Sequence, residues 1–190
     1  RLDHAAIAAR IPHAGSMCLL HEVVAWDAGS IDCIARSHRD PANPLRSRNQ
    51  LATVHGVEYA AQAMALHGAL LGGEGAPASR PGYIGAVRAL ELHAPRLDDI
   101  TDDLDIHAER LAGDASHALY TFSIRAGERL LVEGRVSVAL GAAVLGPTGR
   151  QALLGQYLQR YEGERQVGVI AGSMSVGAAT MLGILPEPND

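Results

Sequence analysis

Residues 51–71 restrict the possible folds more than any other stretch of this chain. They contain no proline, are rich in alanine, and run into Gly72-Gly73, where a helix is expected to stop. A single helix of about 30 Å is predicted there. Apolar residues, among them Val57, Ala60, Ala61, Met64, Ala65 and Leu66, surround most of it. A helix that is apolar on nearly every side has to be covered on nearly every side. The rest of the chain must therefore wrap around it.

The wrapping reads as strands. Residues 19–26 are apolar and β-branched, and residues 31–37 alternate Ile31, Cys33, Ala35 against Asp32, Ile34, Arg36. Asp27-Ala28-Gly29-Ser30 between them reads as a hairpin turn. Beyond the helix and a loop over 72–82, strand patterns occupy 83–94, 104–111, 119–125 and 130–140. A short helix is predicted over 2–11, ending before Pro12, and a loop at 40–44, which holds two prolines. This order predicts an α+β domain: an antiparallel sheet around a long central helix. Gly141, Gly146, Pro147 and Gly149 mark a linker. The domain is thus expected over 1–140, with a loosely packed or partly disordered extension over 141–190. Within the extension, 150–161 reads as helix and 167–171 as a short strand.

Composition removes several functional classes. The formal net charge is -5, and all 16 basic residues are arginine, so no basic surplus exists for a nucleic-acid backbone. No run approaches the roughly 20 apolar residues of a membrane span. The first residues lack a signal-peptide pattern. Cys18 and Cys33 sit singly on apolar segments and read as buried free thiols, which fits a reducing, cytoplasmic setting. The nine histidines show no zinc-site spacing, and Gly72-Gly73-Glu74-Gly75 lacks the lysine of a phosphate loop. Neither a metal nor a cofactor is expected.

Two segments carry a resemblance. Ile11-Pro12-His13-Ala14-Gly15-Ser16-Met17-Cys18-Leu19-Leu20-His21-Glu22-Val23 is similar to the opening pattern of the 3-hydroxyacyl-carrier-protein dehydratases. Gly56-Val57-Glu58-Tyr59-Ala60-Ala61-Gln62-Ala63 resembles the start of their central helix, an acidic residue followed four positions later by Gln. The similarity covers about residues 5–140 and is strongest to the shorter, aryl-polyene-type dehydratase-like proteins. It implies a hotdog fold, a 3-hydroxyacyl thioester on acyl carrier protein or CoA as substrate, and a homodimer or a heterodimer of two hotdog subunits. One departure stands out. The main dehydratases place a loop histidine fourteen residues before the helix acid, and that position here is Pro44.

Dehydration of such a thioester needs a base for the proton next to the carbonyl and an acid for the departing hydroxyl. His55 and Glu58 lie three apart on one helix face, and Gln62 lies four further on. His55 is expected as base and Glu58 as acid or water-positioner, with Gln62 orienting Glu58, bonding across a dimer contact or contacting substrate. Gly56 is expected to let the substrate approach the helix N-terminus, whose N–H groups favour developing negative charge. His38 is the candidate replacement for the missing loop histidine, and His13 is expected to be structural. Arg39, Arg46 and Arg48 flank the helix start and could receive an acidic carrier protein. Two other functions share the same fold: a thioesterase, in which Glu58 would activate water, and a catalytically silent partner subunit.

Overall fold

The computed structural model describes residues 1–73, 82–114, 117–140 and 171–172. β1 (Leu20–Trp26) and β2 (Ser30–Ala35) form the expected hairpin. Asp27 closes its turn, accepting the N–H groups of Gly29 and Ser30 at 2.7 and 2.8 Å. β4 (Leu104–Gly113), β5 (His117–Ala126) and β6 (Arg129–Leu140) follow as an antiparallel meander, and β3 (Gly82–Leu92) pairs with the far edge of β6. The β5–β6 turn needs Gly127, which takes φ of +56°. A two-residue β7 (Ala171–Gly172) pairs with β3, so the order is β1-β2-β4-β5-β6-β3-β7, antiparallel throughout. Apart from those two residues, the extension predicted over 141–190, including its helix at 150–161, lies outside the described residues.

Period-two burial turns one face of this sheet inward. In β5, Tyr120, Phe122 and Ile124 are buried while His117, Leu119 and Arg125 are exposed. α2 (Gly56–Leu71) packs across β1, β2, β4 and β5 on the inward face. Its Val57, Tyr59, Ala60, Ala63, Met64 and Leu66 are buried, leaving a half-buried stripe headed by Glu58, Ala61 and Ala65. The expected architecture, a sheet curled around one long helix, is present.

Two boundaries moved for local reasons. The central helix begins at Gly56, after a 3-10 turn at Thr53–His55, and not at residue 51. Leu51 and Ala52 pair instead with the segment before β4: the Leu51 N–H donates to Asp98 and the Leu97 N–H to the Leu51 carbonyl, both at 2.7 Å. The first helix is only α1 (His4–Ala8), because Leu2 exchanges two backbone bonds with Val23 of β1. Asp3 then caps α1 through the Ala6 N–H at 2.9 Å.

Candidate active site

The site is assembled where the segment before β1 crosses the first turns of α2. Gln62, fully buried on α2, fixes that crossing. Its Oε1 accepts the Leu19 N–H at 2.9 Å, and its Nε2 donates to the Met17 carbonyl at 2.7 Å. So held, the segment brings His13 onto Glu58. His13 Nε2 lies 3.2 Å from Glu58 Oε1, and the two side chains are 10% and 11% exposed. Gln62 Nε2 also reaches Glu58 Oε1, at 3.4 Å.

His55 ends the 3-10 turn from which α2 continues, and is buried. Burial pushes its pKa down to about 4, against the opposing pull of the Glu58 charge. Its ring therefore stays neutral across the physiological range. Its backbone N–H donates to the Ala52 carbonyl at 3.0 Å. His13 Nδ1 and Thr53 Oγ1 are buried without a partner among the described residues, as are His38 Nδ1 and Arg46 Nε. Buried polar atoms are normally paired, so the unpartnered His13 Nδ1 beside Glu58 calls for an explanation.

Of the residues expected from the sequence, the structure gathers Glu58 and Gln62, with His55 on the same turn, and adds His13. Sequence reasoning gave His13 a purely structural task. Its signal was its place in the opening segment, which Gln62 ties to the acid-bearing helix. Three other expectations need correction. Gly56 does not present open backbone: a Cβ there would meet Val132 Cγ1 at 2.7 Å, so the missing side chain admits the sheet. Its N–H is also already directed at the Thr53 and Val54 carbonyls. His38 is fully buried, and its Nε2 is taken by the Ile100 and Asp102 carbonyls at 3.1 Å each. It braces the loop before β4 and does not replace the missing imidazole. Arg39 is tied to Asp103 at 2.7 Å, and Arg46 bonds the His38 carbonyl at 3.2 Å, which leaves Arg48 as the exposed cation of the three.

The outer face of the sheet carries an exposed group with metal-ligand character: Glu91, His93 and Glu133, whose ligand atoms lie within 4.8 Å of one another. It stands on the opposite side of the sheet from α2. Cys18 and Cys33 are free and buried, as expected. Among the described residues no helix is long and apolar enough to cross a membrane.

A family model described as ApeP dehydratase, ApeP-like, matches residues 5–144. The chain belongs to the ApeP-like dehydratase family. In fold it is similar to a chain of the dehydratase heterocomplex ApeI:P from Xenorhabdus doucetiae. That match has a TM-score of 0.65 and 22% identity, and covers 78% of this chain and 96% of the other. It is also similar to an HP0420 homologue from Helicobacter felis, with a TM-score of 0.50, 13% identity, and coverage of 70% and 98%. Among curated protein sequences none matches. The sheet and helix order described above is the hotdog fold of these neighbours.

Proposed function

We propose that this ApeP-like protein dehydrates 3-hydroxyacyl thioesters, carried on acyl carrier protein or CoA, to trans-2-enoyl thioesters. The observation that carries the reading is Glu58, a carboxylate almost shielded from water. One imidazole touches it, and a second stands three residues earlier, in the 3-10 turn that leads into the same helix. A nearly buried carboxylate in such company is a group with a task.

Dehydration moves one proton. It leaves C2, the C3–O bond breaks, and the departing hydroxide takes a proton to become water. Glu58 performs both transfers, accepting the C2 proton and returning it to the hydroxyl. The role suited to His55 differs from the base expected for it. A ring with pKa about 4 is a weak base, but its neutral N–H is a good donor to the thioester oxygen, where negative charge develops. Such a donor contributes about 10²–10³-fold.

The edge of β3 beyond Tyr83 and Ile84, which pair with β7, is suited to a second hotdog subunit that would extend the sheet. Family membership and the fold shared with the ApeI:P heterocomplex support a hotdog partner, either identical or related. Exposed Arg48, near the start of α2, is suited to an acidic carrier protein. Two buried free thiols fit a cytoplasmic setting.

The test incubates the pure protein, alone and with a second hotdog subunit, with 3-hydroxyacyl and with saturated acyl thioesters. Enoyl product that disappears in Glu58→Gln supports the dehydratase. Free thiol released from both substrates would replace it with a thioesterase. Product formed only with the second subunit, and indifferent to Glu58→Gln, would leave a silent partner.

A further inference from the structure

The two oxygens of Glu58 are not equivalent. Both side-chain contacts to the carboxylate, from His13 Nε2 at 3.2 Å and from Gln62 Nε2 at 3.4 Å, fall on Oε1. Oε2 has no protein partner among the described residues. The Gln62 amide can act only as a donor in this geometry, because its oxygen accepts the Leu19 N–H. The His13 ring is constrained from its other side. Nδ1 is buried with no partner, so a hydrogen there would be an orphaned N–H in dry surroundings. A bare lone pair is the more tolerable state. In the neutral ring the hydrogen therefore sits on Nε2, the nitrogen 3.2 Å from Glu58 Oε1.

From this geometry we propose that His13 and Gln62 are positioning residues that pin Glu58 Oε1 with two N–H donors, leaving Oε2 as the single oxygen that meets the substrate. The proposal rests on the dehydratase reading and adds the internal order of its site. It also supplies from within the chain an imidazole that the Pro44 loop does not provide. The opening segment brings it, and Gln62 holds that segment to α2 at Met17 and Leu19. A carboxylate fixed at one oxygen cannot rotate away from the C2 proton, and it keeps the same atom for taking that proton and returning it. Orientation errors of about 1 Å in such groups are worth on the order of a hundredfold in rate.

The experiment uses the full chain, with its hotdog partner where one is required, and has two readouts. The first is the nitrogen-15 histidine spectrum at pH 7.5. His13 is expected as the tautomer with hydrogen on Nε2 and bare Nδ1; hydrogen on Nδ1 would overturn the proposal, because His13 could then only accept. The second is kinetic. His13→Phe should lower kcat about ten- to a hundredfold with KM within about threefold of wild type. His13→Gln, whose amide N–H reaches a similar position to Nε2, should recover most of that loss. Equal losses in the two variants, or wild-type kcat in His13→Phe, would reject it. Absence of enoyl product from the wild-type protein, with and without a partner, would sink the dehydratase reading itself, and the tautomer would still decide whether Oε1 is pinned.

Discussion

The two ends of α2 both bury histidine, and they treat it in opposite ways. Near the C-terminal end, His67 is fully buried with both ring nitrogens engaged. Nδ1 meets the Tyr120 hydroxyl at 2.9 Å, and Nε2 meets the Asp27 carbonyl at 2.8 Å. Tyr120 also stands edge-on to the ring at 5.7 Å between centroids. That network ties the helix to the β1–β2 turn and to β5, and no polar ring atom is left over. At the N-terminal end, His13 has Nε2 against Glu58 and Nδ1 buried without a partner among the described residues. Two histidines under the same sheet thus differ in what remains unpaired. On the proposed function, complete pairing is a device for stability and incomplete pairing beside Glu58 is a place kept for a ligand.

The widest separation between the two ends should come from Glu58→Gln. It preserves size and removes the proton-carrying group, so enoyl formation should fall by about 10³-fold or more while the denaturant midpoint scarcely moves. Activity retained within tenfold would erase the functional half of the comparison. His55→Gln comes next, with about a hundredfold loss of kcat and a second signature in stability. The folded-state pKa of His55, about 4, lies below its ordinary value of 6.5. The unfolded chain therefore takes up the proton first as pH falls. Stability is complete above pH 6.5 and declines down to about pH 4, by about 3 kcal/mol in all. In His55→Gln that portion of the pH slope should vanish. Urea midpoints for both proteins between pH 7.5 and 4 would show parallel curves if the ring is not buried as described.

The fold was legible in the sequence to a greater depth than the site. Residues 51–71 could only be a covered helix, and strands with period-two alternation could only be its cover. What local pattern could not show was competition for the backbone. Leu51 lies in a helical pattern, yet its N–H is bound by Asp98, forty-seven residues away. The site failed in the same manner. His55, Glu58 and Gln62 are neighbours by helix spacing, so the sequence brought them together. His13 joins them through a contact spanning about a third of the hotdog domain, made possible by Gln62 gripping Met17 and Leu19. His38 was promoted because of its position in the chain, and its two carbonyl partners at Ile100 and Asp102 are invisible without the fold. Gly56 was read as room for a substrate, when that room belongs to Val132.

At the structural end the effects should be smaller and should fall on stability alone. His67→Leu leaves the Tyr120 hydroxyl and the Asp27 carbonyl without a partner, at a cost of about 2–3 kcal/mol with kcat unchanged once the protein is folded. A comparable fall in kcat at temperatures well below the melting point would mean that the two ends are coupled through the helix.

The smallest change is the most informative about His13. Tyr120→Phe keeps the edge-on ring and removes only the hydroxyl that meets His67 Nδ1. His67 is then left with Nε2 bound to the Asp27 carbonyl and Nδ1 buried and bare, the arrangement that His13 already has in the wild-type protein. The variant therefore adds an unpaired imidazole nitrogen at the other end of the same helix, with no carboxylate beside it. Its expected destabilisation is about 1 kcal/mol, the typical net worth of one hydrogen bond, rising toward 2 if the bare nitrogen stays dry. That difference in denaturation free energy estimates what the fold tolerates at His13 to keep Nε2 directed at Glu58. A loss above about 3 kcal/mol would make a permanently bare Nδ1 untenable and would require a bound group at His13. A loss near zero would show that unpaired imidazole nitrogens cost this fold nothing, and the contrast between the two helix ends would then carry no functional meaning.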